Sequence, residues 1–187
     1  MTGGVARLLL LCVLALTAAP ARAGDGVAEP EDFRNADYRS PTPSTLRGAR
    51  VVTTAEAEAL WKSGRTAFVD VMPRPPRPSG LPAGTIWREK PRPNIPGSIW
   101  LPDTGYGALA PVIEEYFRRG LEQAAGGDRA KVLLFYCLEN CWMSWNAAKR
   151  AMTLGYSDVV WYPAGTDGWQ GAGLPLEDGK PVPRPGE

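Results

Sequence analysis

The 187-residue chain contains no histidine. That absence excludes Ser-His-Asp and Cys-His catalysis, histidine-ligated zinc, c-type haem attachment through C-x-x-C-H, and a 2-His-1-carboxylate iron site. Any general base must therefore be Asp, Glu, Lys, Tyr or a thiolate. Cysteine is scarce too, with three in the chain. Cys12 falls inside the N-terminal apolar run, which leaves Cys137 and Cys141. Neither sign of charge dominates, with 21 Lys and Arg against 20 Asp and Glu. Nucleic acid or an anionic membrane surface would demand a concentrated positive face, so neither is an expected partner. The one basic cluster, the alternation of Arg and Pro from Arg74 to Arg92, reads as a solvated loop. Long apolar runs are missing after the first two dozen residues, and no membrane span is expected there.

The N-terminus itself has a recognisable pattern. Arg7 supplies a short positive region, Leu8 to Ala19 an apolar run, and Ala21-Arg22-Ala23 a small-x-small site. Residues 1–23 thus read as a secretory signal peptide cleaved near Ala23-Gly24, giving an exported, periplasmic, soluble protein of single-domain length. Residues 24–49 are polar and aperiodic, an extended N-terminal arm pinned by Phe33 and Tyr38. The folded domain is expected over 50–187, with a Pro-rich insert at 73–93 that can be neither helix nor central strand.

Within that domain, Thr53-x-x-Glu56 is a capping box opening a helix that ends at Gly64. Ala67–Val71 is a short apolar strand containing Asp70. Asn94–Pro102 reads as a turn and then a strand. Val112, Ile113, Tyr116, Phe117, Leu121 and Ala124 recur at helical spacing and stop at Gly126-Gly127. Lys131–Tyr136 is a continuous apolar strand of the kind buried on both faces of a parallel sheet. A second long helix is expected from about Met143 to Leu154, and another strand over Val159–Tyr162. This alternation predicts a single α/β domain around a central, mostly parallel sheet.

Sites in such sheets lie beyond the carboxyl ends of the strands. Cys137 follows a strand and precedes a helix, so converging backbone amides and the helix dipole are expected to favour its thiolate. On spacing alone three readings stay open for Cys137 and Cys141: a stapling or redox disulfide, a nucleophile with its resolving thiol, or a soft-metal pair. With Met143 the two cysteines would offer Cu(I) a thiolate–thioether site. Trp142, Trp145, Trp161 and Trp169 could wall a flat ligand such as a quinone, although ordinary core packing explains them as well, and Trp87 and Trp100 carry the same ambiguity.

Several segments resemble rhodanese-like domains. Phe68-Val69-Asp70-Val71 is similar to that family's first core strand with its supporting Asp. Asn94-Ile95-Pro96-Gly97-Ser98-Ile99 resembles its HIPGA segment, with Asn94 in the place of His. Cys137 stands where the family carries its persulfide-forming cysteine, and Asp167-Gly168-Trp169 through Gly173-Leu174-Pro175 resembles its closing segment. The resemblance implies a rhodanese-like three-layer fold and a sulfurtransferase that carries a persulfide sulfur on Cys137. A narrower resemblance, through Cys137–Trp142 and the following WMSWNAAKRA, is to the PQQ-dependent catabolism-associated CXXCW-motif proteins. It implies an accessory role beside exported quinoprotein dehydrogenase components, with PQQ entering by pathway only. Departures from the rhodanese pattern are concentrated in the loop. It offers Leu138, Glu139, Asn140, Trp142 and Met143 where the family has Gly and an anion-holding Arg or Lys, and Met143 occupies the position at which phosphatases of this fold need Arg.

Overall fold

The computed structural model describes residues 26–75, 78–86 and 91–184. The signal-peptide segment, its cleavage site, Cys12 and Trp87 lie outside the described residues. The elements run β1 (Arg50–Val51), α1 (Thr54–Lys62), β2 (Ala67–Asp70), β3 (Arg92–Asn94), β4 (Ile99–Trp100), α2 (Pro111–Ala125), β5 (Leu133–Tyr136), α3 (Trp142–Thr153), β6 (Val159–Trp161), α4 (Gly165–Gly171) and β7 (Glu177–Gly179). Five strands form one sheet in the order β1-β6-β5-β2-β4, every pairing in it parallel.

Strand periodicity builds the three layers. Successive side chains of a strand point to opposite faces. Val69, Leu133, Phe135, Val159 and Trp161 pack against Phe117, Leu121, Trp145 and Ala148 of α2 and α3. Their alternates Phe68, Leu134, Tyr136 and Val160 pack against Ala57 of α1 and Trp169 of α4. Both faces of the sheet are thus covered, which is why β5 is buried throughout and carries no polar residue.

Local signals set the helix ends. The Thr53 side chain accepts from the Glu56 amide while the Glu56 carboxylate accepts from the Thr53 N–H at 2.8 Å, completing the capping box. Pro111 opens α2, and Gly126 closes it in the left-handed conformation at φ 61°. Four elements, β1, β3, α4 and β7, had no sequence signal. β1 is two residues long, too short for periodicity. Helix α4, GTDGWQG, has three glycines in seven residues, a composition of poor helical propensity that only docking of Trp169 against α1 and the sheet stabilises. The Pro-rich insert ends earlier than expected, because Arg92–Asn94 pairs antiparallel with β7 in a two-stranded ribbon apart from the main sheet. Pro93 is tolerated in that ribbon because it is an edge position.

The arm over residues 26–49 contains no helix and, before Arg50, no strand, yet it is tightly held. It runs along the face of α3 turned away from the sheet. Trp142 N donates to Tyr38 O at 2.9 Å, and Trp145 Nε1 to Thr45 O at 3.1 Å. Asn146 exchanges two hydrogen bonds with the Arg34 backbone, both 2.9 Å, and Lys149 Nζ donates to Pro30 O. The Arg150 guanidinium lies 4.3 Å from the Phe33 ring. The segment WMSWNAAKRA therefore binds sheet and arm at once, and nearly every residue of α3 is buried. Among the described residues no helix is long and apolar enough to cross a membrane.

Candidate functional site

Loops at the carboxyl ends of β2, β4 and β5 converge on one cleft of about 550 Å³, lined by Met72, Pro73, Tyr106, Cys141, Met143 and, from the arm, Asp37, Tyr38 and Arg39. Arg150 fixes the far wall by donating to the carbonyls of Thr104, Tyr106 and Gly107 at 3.1, 2.9 and 2.7 Å. Tyr38 packs edge-on against Tyr106 at 5.3 Å and closes the rim.

Cys141 lines this cleft while Cys137 is buried out of it, so the two cysteines are not equivalent. Cys137 ends β5 and is fully buried. Its Sγ lies 3.5 Å from Met72 Sδ. Burial pushes its thiol well above the ordinary range, and the neighbouring Cys141 and Asp70 push it further. Cys141 occupies the N-cap of α3. It makes no regular side-chain capping bond, but the neighbouring Cys137 thiol, the Met143 and Leu138 amides and Arg39 all favour its charged form. These contacts outweigh its burial and bring it down to about 6. The helix dipole acts in the same direction at this position. The expectation that Cys137 sits beneath the helix N-terminus is thus corrected: three intervening residues separate it from the cap, and the favoured thiolate belongs to Cys141.

The loop between them is held from outside. Leu138 pairs with Gly165 in an isolated antiparallel bridge. Gly165 has φ 52°, and a Cβ there would stand 2.5 Å from Cys137 O, so this position admits only glycine. Glu139 and Asn140 are exposed, and Asn140 is left-handed at φ 52°, a conformation asparagine tolerates. Glu139 N donates to Asp167 Oδ2 at 3.0 Å, and Glu139 O accepts from Arg39 Nη1 at 2.9 Å. The Glu139 carboxylate lies on the outer side of the loop and is not among the groups lining the cleft.

Beneath the loop lies a buried ionic support. Asp70 Oδ2 accepts from Arg92 Nε at 2.9 Å and Asn94 Nδ2 at 3.1 Å, and its Oδ1 from Met72 N at 2.8 Å. Burial nevertheless holds its carboxyl up at about 6, with Arg92 opposing that rise. Arg92 passes the support on, donating to Thr166 Oγ1 and Cys137 O, both at 3.2 Å. The sequence reading missed Arg92, Thr166, Met72, Arg39 and Tyr106, which come from five separate segments with no shared spacing.

Of the two readings of the tryptophans, the structure has core packing and not a ligand wall. Trp142, Trp145, Trp161 and Trp169 are buried in the core, none of them lining the cleft, and Trp100 donates its indole N–H to Met72 O. A resident quinone has no indole face to stack on here, and no chemistry at this site is routed through PQQ.

No protein-family model and no curated protein matches the chain. Solved structures do. A thiosulfate sulfurtransferase from Pseudomonas aeruginosa aligns with a TM-score of 0.50 at 20% identity, over 72% of this chain and 21% of that one. A polysulfide-sulfur transferase homodimer from Wolinella succinogenes aligns at 0.44 and 16%, over 71% and 81%. An uncharacterized protein from Saccharomyces cerevisiae aligns at 0.41 and 25%, over 67% and 93%. The likeness to the Pseudomonas protein is one of fold. With its three layers, parallel sheet and cysteine loop beyond the central strand, the chain has a rhodanese-like α/β fold.

Proposed function

We propose that this chain is an exported, periplasmic rhodanese-like protein whose Cys137–Cys141 pair works as a dithiol–disulfide couple in the service of PQQ-dependent alcohol catabolism. The compartment and pathway rest on the signal-peptide pattern and the CXXCW-type resemblance. The chemistry rests on one observation: Cys141 stands at the N-cap of α3 and lines the cleft, with the buried Cys137 beside it at the end of β5, an arrangement that favours the thiolate on Cys141. In this reading the Cys141 thiolate attacks a partner disulfide, forming a mixed disulfide and expelling one partner thiolate. Cys137 then loses its proton and attacks the Cys141 sulfur, releasing the second partner thiolate and closing the internal disulfide. Two electrons pass from the pair to the partner, and exported quinoprotein dehydrogenase components are the proposed partners.

Intact mass after purification without reductant tests this directly. A protein lighter by two hydrogens, restored by dithiothreitol, together with a measurable equilibrium against glutathione, supports the couple. Free thiols that resist oxidised glutathione sink it. The same spectrum reports whether the chain begins at Gly24.

Arg39 favours a second reading, sulfur transfer. The cysteine loop lacks the cation that would hold an anionic donor, and the arm brings one to the same cleft beside Cys141. Here Cys141 attacks the outer sulfur of thiosulfate and releases sulfite, leaving a persulfide. The reduced protein should then form thiocyanate from thiosulfate and cyanide. Arg39→Met should raise KM for thiosulfate by roughly tenfold to a hundredfold, the worth of a charged hydrogen bond, with a smaller effect on kcat. No turnover, or a KM unmoved by the substitution, removes this reading.

A further inference from the structure

We infer that Cys137, Cys141 and Met72 form a three-sulfur site for Cu(I) at the floor of the cleft. Sequence spacing offered Met143 as the thioether, because it follows Cys141 in the chain. The fold brings in a different one. Met72 leaves the carboxyl end of β2, the strand paired to β5, and its Sδ lies 3.5 Å from Cys137 Sγ. Cys141, three residues beyond the loop's start at the N-cap of α3, lines the same cleft as Met72. Two sulfurs from adjacent strand ends and a third from the N-cap of α3 thus gather at one edge of the sheet.

The donor set selects the metal. Thiolate and thioether ligands are soft and favour Cu(I), which is satisfied by few ligands. Zinc wants a fourth ligand from nitrogen, oxygen or thiolate. Histidine is absent from the chain, and among the described residues no three His, Cys, Asp or Glu side chains cluster as a metal site. Asp70, the nearby buried carboxylate, is occupied by Arg92, Asn94 and the Met72 amide. Two thiolates and one Cu(I) carry a net single negative charge, and Arg39 at the same cleft offsets it. The Met72 backbone is fixed on both sides, its N–H by Asp70 and its carbonyl by the Trp100 indole at 2.8 Å, so the thioether is delivered from a rigid position. Such pre-positioning lowers the ordering cost of binding. The site depends on the same two thiols as the proposed redox couple but not on their oxidation.

The fully reduced chain, titrated anaerobically with Cu(I) against a competing chromophoric chelator, should bind one equivalent with sub-micromolar affinity. Met72→Leu, which keeps side-chain volume and should keep the circular dichroism spectrum, should weaken binding at least tenfold. Met143→Leu should leave it within about threefold. The double replacement of Cys137 and Cys141 by Ser should abolish it. X-ray absorption at the copper edge should require three sulfur neighbours. Affinity weaker than micromolar, binding that survives loss of both cysteines, or a Met72→Leu variant that binds as the parent does would each overturn the assignment. So would a loss confined to Met143→Leu. None of these outcomes depends on whether the metal-free pair exchanges with glutathione, so the two ideas fail separately.

Discussion

Asp70→Ala is expected to lower the unfolding free energy by about 3–5 kcal/mol at neutral pH, the cost of stripping one partner from a buried ion pair. The carboxylate is fully buried, and the Arg92 side chain it pairs with is 11% exposed. Its removal leaves the guanidinium, the Asn94 amide and the Met72 N–H without their acceptor, and little water can replace it. Against the 5–15 kcal/mol that holds an ordinary domain, this is a large fraction. The effect extends to the cysteine loop, because Arg92 also donates to Cys137 O and Thr166.

The same residue gives stability a pH signature. The carboxyl is held at about 6 in the folded chain against an ordinary 3.8. Between those values the folded state keeps a proton that the unfolded state has released. Stability from this group therefore rises as pH falls through about 6 toward 4, and is lost as pH climbs back. The gap corresponds to about 3 kcal/mol. Asp70→Asn cannot titrate, so the stability difference between parent and variant should shift by about that amount in favour of the parent between pH 7 and pH 4. Urea midpoints at the two pH values measure it, and a difference that stays constant would show that Asp70 is not perturbed by burial.

Cys137→Ala should move the Cys141 alkylation midpoint from about 6 toward the ordinary 9, because the Cys137 thiol is the largest influence holding Cys141 down. The rate at pH 7 is the weaker readout. At the extreme the thiolate fraction would fall on the order of a hundredfold, but a more basic thiolate is intrinsically more nucleophilic, with a Brønsted slope of about 0.4–0.5 that returns most of the loss. The midpoint of the iodoacetamide profile isolates the electrostatic effect. Cys137→Ser retains a hydroxyl donor and should hold the midpoint closer to the parent's, and neither variant can close the internal disulfide. If both variants keep a midpoint near 6, the Met143 and Leu138 amides with Arg39 suffice and the pair is not coupled. A midpoint near 9 in the parent itself would remove the thiolate assignment altogether.

Much of the scaffold was legible because it follows from local chemistry. The KVLLFY run could only be a strand buried on both faces, and the apolar stripe from Val112 to Ala124 marks α2. Thr53 and Glu56 placed the start of α1, and the strand–loop–helix around Cys137 placed the site at a sheet's carboxyl edge. The glycine-rich α4 was illegible because docking, not propensity, makes it helical. Of the arm, only pinning by Phe33 and Tyr38 was legible, since its other anchors are backbone groups that pair with Trp142, Trp145, Asn146 and Lys149 a hundred or more positions away. The same contacts explain why tryptophans that looked available to a ligand are core residues.

The sequence by itself determined that any chemistry here is histidine-free and pointed to two thiols, since residue types and the order of elements are local properties. It could not say which thiol is the thiolate. That depends on where α3 begins and on what faces each sulfur, and the turn at Asn140 puts Cys141, not Cys137, at the helix cap. Nor could it supply Met72, Arg39, Arg92 and Tyr106, which are distant in the chain and adjacent only because parallel strands end on the same edge and the arm folds back along α3. Burial, neighbouring charge and the meeting of remote segments are tertiary quantities, and at this cleft they decide how the two cysteines divide their roles.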